Sequence, residues 1–262
     1  MKELYRFLVK IGLDPLAFLY FIIGMPVFIR DLYKFRKLSP NKKEFPIGKL
    51  YPIMMNKSSN SGTMKGAYFH HDLWAARHIY NSKPVRHVDI GSRIDGFVAH
   101  VAVFREIEVF DIRKQTSSVK NIVFKQADFM QLPDNLTEYC DSISSMNAIE
   151  HFGLGRYSDP IDPNGHLKGI RNITTMLKPG GTFYFSVPLG KQRVEFNAHR
   201  VFDLTYLLDL FDANFTVESF SYVDDQGDFK ENVELESESI RNNYGCWFGF
   251  AVLKLKKKLV ID

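Results

Sequence analysis

The chain has 262 residues, 45% of them hydrophobic and 24% charged, an ordinary globular balance with room for one large domain and an appendage. Its two cysteines, Cys140 and Cys246, have no partner at metal-ligand spacing, which argues against a disulfide scaffold or a zinc site and for a reducing, cytoplasmic setting. The net charge of +4 is unevenly placed, because residues 1–50 hold ten Lys and Arg against four Asp and Glu, and the remainder holds 24 against 26. A near-neutral main body argues against nucleic acid as its partner.

Residues 16–29 (LAFLYFIIGMPVFI) form an uncharged apolar run between Asp14-Pro15 and Arg30-Asp31. The run is 14 residues long, short of the ~20 needed to span a bilayer, and Pro26 interrupts it. It lacks the small-residue cleavage pattern of a secretory signal. A basic stretch follows, with Arg30, Lys34, Arg36, Lys37, Lys42 and Lys43. Three roles are open: a helix docking on the main domain or on a second subunit, a peripheral membrane contact through residues 11–43, and a true span, against which the length argues hardest. The polar stretch 56–66 (NKSSNSGTMKG) reads as a linker, so the chain divides into an N-terminal helical segment, 1–60, and an α/β domain, 61–262.

Beyond the linker, apolar residues at helical spacing predict a helix over 67–81, followed by a short buried strand at 85–90. Asp89 and Gly91 end that strand, and an amphipathic helix is predicted over 94–104. Strands follow at 107–110, 122–124, 142–146 and 182–187. Helices are predicted over 167–177, closed by Lys178-Pro179-Gly180-Gly181, and over 202–211. The segments 153–165 and 190–199 read as polar loops. Strands at 215–222 and 246–255 end the chain, with a solvated acidic excursion, 224–238, between them. Strands alternating with helices imply a mostly parallel sheet covered on both faces, with the last two strands as an antiparallel pair.

The turn His87-Val88-Asp89-Ile90-Gly91-Ser92-Arg93-Ile94-Asp95-Gly96 offers free backbone N–H groups at a helix N-terminus, a seat for a nucleotide-like ligand. Asp111 stands 20 residues beyond Gly91 at the end of the second strand, where an acid can accept from two ribose hydroxyls. Asp128-Phe129 follows the third strand and Asn147-Ala148-Ile149-Glu150-His151 the fourth. This order resembles the plan of class I S-adenosylmethionine (SAM) dependent methyltransferases, a Rossmann-like sheet. The runs HVDIGSRIDGFVAH, SSMNAIEHFGLGRYSDPIDPNGH and EFNAHRVF narrow the resemblance to the methyltransferase-like family catalogued as domain of unknown function 268, over about residues 65–222.

The resemblance implies SAM as cofactor and S-adenosylhomocysteine as product. It also implies cofactor contacts from Asp89, Gly91, Ser92, Arg93 and Gly96, from Asp111 with Ile112, from Asp128 with Phe129, and from Asn147. Arg93 takes the place of the family's central glycine and Gly96 falls one position late. Arg93 then reads either as a bidentate partner of the methionine carboxylate or as a solvated loop arginine. At family level the association is with surface polysaccharide building, and so with a sugar hydroxyl or small polar acceptor.

An alcohol is a poor nucleophile, so a general base is expected, with His151 first, Glu150 as its orienting partner and His199 second. The acceptor-binding candidates are Arg156, Tyr157, Asp159, Asp162 and His166 in the loop after the fourth strand, and Arg200. Asp159, Asp162 and His166 also suit a divalent metal, but their spacing matches no metal motif, so no metal is expected. His70-His71-Asp72 reads as part of a lid. Two rival readings remain: a catalytically inactive methyltransferase fold acting as an interaction protein at a membrane surface, and a nicotinamide-dependent oxidoreductase. The sequence does not specify the oligomeric state.

Overall fold

The chain divides into two units, Met1–Thr63 and Met64–Asp262. The computed structural model describes residues 4, 5, 8, 9, 11–38, 44–53, 60–131 and 135–259; Lys42, Lys43 and linker positions 56–59 lie outside the described residues. In the first unit, helix α1 (Pro15–Leu38) is 24 residues long and continues through Pro26. Proline is well placed at its first position, where no intrahelical N–H is needed. Asp14 caps the helix by accepting from the N–H groups of Leu16 (3.0 Å) and Ala17 (3.1 Å). The sequence reading counted only the 14 uncharged residues. The helix runs on into the basic stretch, so it is long and apolar enough to cross a membrane by length and composition.

In the second unit, α2 (Ala67–Ser82) precedes β1 (His87–Ile90). A five-residue π turn (Ile94–Val98) and one turn of α3 (Ala99–Ala102) replace the single helix expected over 94–104. The break lies at Gly96, whose φ of −126° and ψ of −110° are non-helical. Next come β2 (Ile107–Asp111), β3 (Ile122–Gln126), β4 (Cys140–Met146), α4 (Gly165–Met176) and β5 (Leu177–Leu189). The short strands β6 (Arg193–Glu195) and β7 (His199–Val201) then form a hairpin inside the segment read as a loop. The chain continues with α5 (Leu204–Asp212), β8 (Phe215–Val223), β9 (Phe229–Lys230), α6 (Ser237–Arg241) and β10 (Gly249–Lys257). The acidic excursion therefore carries structure: β9 adds an antiparallel edge strand to β8.

The large sheet has the order β3-β2-β1-β4-β5-β10-β8-β9. Its first five strands are parallel, and β10 enters antiparallel between β5 and β8. One face packs Trp74, Ile79, Phe97 and Val101 against Val109, Met146 and Val252. The other packs Ile170, Ile173, Leu207 and Phe211 against Ile143, Phe183 and Phe185. In that second layer the ring centroids of Phe185 and Phe211 are 5.1 Å apart, an aromatic pair worth about 0.5–1.5 kcal/mol beyond area burial.

Both faces being covered explains why all four residues of β1 are buried. Its histidine stays polar inside the sheet because Ser142 Oγ (2.8 Å) and Ser144 Oγ (3.2 Å) meet its two ring nitrogens. Burial pushes the His87 imidazole down to about 3.

Candidate active site

At the C-terminal edge of the parallel strands, the exits of β1, β2, β3 and β4 surround a cavity of about 700 Å³. This edge is where open α/β sheets bind ligands, because the strand order reverses there and leaves a crevice. Gly91 forms part of the cavity wall at φ +74°, and a Cβ there would stand 2.9 Å from Ala148 Cβ. Only glycine meets both demands without strain.

The turn after β1 is braced from within. Asp89 is fully buried and accepts from Ser92 N (3.0 Å), Ser92 Oγ (2.6 Å) and Ser144 Oγ (2.6 Å). Burial lifts its carboxyl to about 7. Asp89 and Ser92 therefore lie behind the cavity wall, because their polar atoms are spent on each other and on β4. Gly96 also lies behind it, where a Cβ would come within 2.7 Å of Asp72 Oδ2. Arg93 does line the cavity, with its guanidinium paired to Asp95 through Nε–Oδ1 (3.1 Å) and Nη2–Oδ2 (2.8 Å).

On the β2 side, Asp111 lines the cavity together with Ile112. Its carboxylate accepts from Arg113 N (2.8 Å) and Arg113 Nε (2.9 Å), and its second oxygen receives Arg113 Nη2. The same guanidinium lies 4.6 Å from the centroid of the Tyr157 ring, and that of Arg156 lies 5.2 Å from it. After β3, Asp128 and Phe129 line the cavity. Asp128 Oδ1 accepts from Met130 N (2.9 Å), and Phe129 packs edge-on against Phe110 at 5.7 Å. Asn172 Nδ2 donates to Phe129 O at 3.0 Å, which holds that turn against α4.

On the β4 side, Asn147 adopts a left-handed backbone at φ +53°. Its N–H donates to Ser186 O (2.9 Å) and its Oδ1 accepts from Ser186 Oγ (3.0 Å). Ser186 has one proton to give, so it receives the 3.1 Å bond from Nδ1 of His71. The His71 ring meets Asp72 Oδ1 through Nε2 at 3.0 Å. A buried chain of hydrogen bonds thus runs from His71 through Ser186 to Asn147, whose Nδ2 is buried with no partner, while His71 Nε2 lies beside Asp72 without a hydrogen bond. His71 belongs to this interior network rather than to a lid, with Asp72 buried beside it. His70 turns the other way and stacks on Phe229 at 5.4 Å.

One turn of 3₁₀ helix, Ile149–His151, carries Glu150 and His151 into the cavity. Glu150 is 2% exposed, its Oε2 has no partner, and its Oε1 is 3.7 Å from His151 Nε2. Burial pushes the Glu150 carboxyl up to about 8. The His151 Nδ1–H donates to Ala198 O at 2.7 Å, which leaves Nε2 as the lone-pair nitrogen. Burial, followed by the nearby Arg156 cation, pushes the imidazole down to about 4. His151 is therefore a neutral base beside a carboxyl that holds its proton at neutral pH. His199 also lines the cavity, with Nε2 3.4 Å from Glu195 Oε2, and burial lowers its imidazole.

The acceptor-binding candidates separate. Arg156, Tyr157 and Asp159 line the cavity. Asp159 is nonetheless committed to its own loop, accepting from Gly153 N (2.8 Å), Gly155 N (3.1 Å) and Tyr157 N (3.1 Å). Asp162 pairs with Lys168 at 2.6 Å, and His166 Nε2 meets Tyr206 OH at 3.0 Å, both outside the cavity wall. Arg200 is buried and ties down the β4 loop by donating to Glu150 O (3.3 Å), Phe152 O (2.6 Å) and Pro163 O (3.1 Å). Arg200 thus fastens the loop, while Asp162 and His166 pair with residues of α4 and α5, and His166 Nδ1 is left buried without a partner. Among the described residues no three His, Cys, Asp or Glu side chains gather as a metal site.

Sequence reasoning did not reach Arg113, Ser186 or Tyr68, whose ring lines the cavity 5.2 Å from the Arg93 guanidinium. Arg113, two residues past the Asp111 strand end, was open to an i,i+2 argument. Ser186 sits inside a buried strand and carries no signal of its own.

Among solved structures, the chain resembles Burkholderia thailandensis 1,6-didemethyltoxoflavin-N1-methyltransferase, crystallised with 1,6-didemethyltoxoflavin and S-adenosylhomocysteine. The TM-score is 0.51 at 14% identity, covering 72% of this chain and 79% of that one. It also resembles the N-methyltransferase NodS from Bradyrhizobium japonicum WM9, with a TM-score of 0.49 at 13% identity over 73% of this chain and 88% of that one. The first of these likenesses supports a class I methyltransferase fold. No curated protein matches the sequence. The sequence profile described as Caenorhabditis protein of unknown function, DUF268, matches residues 98–257, more than half of the chain, and the chain belongs to that family.

Proposed function

We propose that the chain is a SAM-dependent methyltransferase acting on a hydroxyl of a sugar or small polar acceptor. The observation that carries this reading is a pair of buried polar atoms without partners, Asn147 Nδ2 and Glu150 Oε2, on one turn at the cavity wall. An unpaired buried donor or acceptor costs about 1–3 kcal/mol, and a zwitterionic amino-acid end supplies partners of both signs. Asn147 would hold the methionine end of SAM beside the glycine wall at Gly91. Asp111 would receive the ribose hydroxyls once Arg113 yields an oxygen, and Asp128 with Phe129 would hold the adenine.

Bound SAM supplies an electrophilic methyl group. His151 Nε2 is free to accept the acceptor's proton, with its ring direction fixed by Ala198 O. Glu150 Oε1 faces that nitrogen and, once ionised, would stabilise the imidazolium. Arg156 and Tyr157 supply planar polar and aromatic surfaces of the kind that suit a sugar ring.

The bidentate Arg113–Asp111 pair favours a second reading, in which the fold keeps the cavity shut with its own side chains and binds no cofactor. Parallel calorimetric titrations with SAM and NAD separate these readings. Saturable SAM binding without NAD binding is expected. NAD binding alone would indicate an oxidoreductase, and binding of neither at millimolar concentration would overturn the proposal.

A further inference from the structure

Helix α1 has a composition at odds with its surroundings. From Leu16 to Ile23 every residue is apolar or aromatic, which is more than two turns, so apolar side chains project from every side of the cylinder. A helix that is apolar all round belongs in an apolar environment. Yet no residue of α1 is buried, and Phe18 (67% exposed), Ile23 (61%) and Ile29 (58%) stand clear. A self-associating coiled coil does not fit this pattern, because a seam needs apolar residues at two heptad positions and polar ones elsewhere.

Charge identifies what would cover the helix. No charged residue occurs between Asp14 and Arg30. The last turns then carry Arg30, Lys34, Arg36 and Lys37 against Asp31, with Tyr33 71% exposed among them. An apolar cylinder ending in an aromatic and basic collar matches a bilayer in cross-section, with hydrocarbon first and a tyrosine and cations at the headgroups. Twenty-four residues at 1.5 Å each rise about 36 Å, and the uncharged part accounts for roughly 21 Å of that, against ~30 Å of hydrocarbon. With the collar at one surface, the uncharged part enters the hydrocarbon and stops about 9 Å short of the far side, at the Asp14 cap.

We infer that α1 is a membrane anchor, with residues 16–29 in the hydrocarbon and the Arg30–Lys37 turns among anionic headgroups. The inference rests on the first unit alone and is independent of the reaction proposed for the second.

The test is flotation of the full chain, reconstituted by detergent removal, with vesicles of phosphatidylcholine alone and of phosphatidylcholine with phosphatidylserine. Flotation with both is expected, and stronger with phosphatidylserine. Neutralising Lys34→Gln, Arg36→Gln and Lys37→Gln together should erase the phosphatidylserine preference, about a fivefold loss of partitioning per residue, and leave binding to phosphatidylcholine alone. Phe18→Asp, Ile22→Asp and Ile23→Asp together should release the chain from both vesicles, with an unchanged melting transition for the α/β unit. A wild-type chain that stays unbound, or sediments as a vesicle-free oligomer, would overturn the anchor. An aspartate variant that still floats would do the same.

Discussion

The two sides of the cavity treat their polar groups in opposite ways. On the β2–β3 side, Asp111 is held by Arg113 and Asp128 Oδ1 by Met130 N, both within two residues in sequence. On the β4–β5 side, Asn147 and Glu150 are buried with atoms left over, and Asn147 reaches its partner Ser186 across the fold. A ligand entering the first side must displace a partner and replace its hydrogen bonds to the buried Asp111, while the half-exposed arginine can turn to solvent. A ligand entering the second side relieves an existing deficit. Selectivity and pH sensitivity therefore concentrate at the β4–β5 side, where burial has moved the protonation equilibria of Glu150 and His151.

The largest expected effect breaks this contrast at His151. His151→Gln should lower methyl transfer by about 10²–10⁴-fold, the usual yield of general base catalysis, and leave SAM affinity unchanged. Labelled-methyl transfer to a panel of simple sugars, set beside calorimetry, checks both halves. A variant as active as wild type would remove the base from His151.

Asp111→Ala comes next and should weaken SAM binding by about 2–3 kcal/mol, the loss of two charge-assisted hydrogen bonds. Equal affinity in variant and wild type would mean that the β2 side does not hold the ribose.

The third expectation concerns stability against pH. Burial raises Asp89 to about 7 and Glu150 to about 8, so both bind a proton in the folded chain that the unfolded chain has already lost. Their contribution is present at low pH and is lost as pH rises through 7 to 8. Burial depresses His87 to about 3 and His151 and His166 to about 4. Their contribution is present above the ordinary histidine value and is lost as pH falls through 4 to 3. The melting temperature should therefore peak around pH 6–6.5, below the Glu150 and Asp89 transitions. Glu150→Gln should flatten the alkaline limb and move the maximum to higher pH. An alkaline limb identical in the variant would show that Glu150 ionises normally.

The smallest effect sharpens the comparison on its exposed side. Arg113→Ala should tighten SAM by about 1 kcal/mol or less, since a guanidinium that is half-exposed no longer competes for the buried Asp111 carboxylate. Weaker binding would make Arg113 a ligand contact instead of a competitor.

The sheet was readable because its strands are short apolar runs ending at acids or glycines, a pattern set by neighbours in sequence. The strand-end positions Gly91, Asp111, Asp128, Asn147 and His151 were legible for the same reason, and all of them line the cavity. Residues chosen for their chemistry alone fared differently. Asp162, His166 and Arg200 read as ligands for a polar acceptor, but they lie outside the cavity wall and pair with Lys168, Tyr206 and backbone carbonyls. The small β6–β7 hairpin and the edge strand β9 also escaped detection, because two- and three-residue strands carry no periodicity.

By itself the sequence determined which segments alternate as strand and helix, where the chain turns at glycine, and that charge divides the N-terminal segment from a neutral α/β body. Those features depend on backbone sterics and on side-chain spacing within a dozen residues. Only the tertiary structure decided which polar groups remain available. His71 and Ser186 are 115 positions apart and still share a hydrogen bond, and Arg200 reaches back 50 positions to the Glu150 carbonyl. A polar side chain can act on a ligand only if the fold has not already spent its hydrogen bonds. That account closes across the whole sheet, beyond the reach of any local pattern.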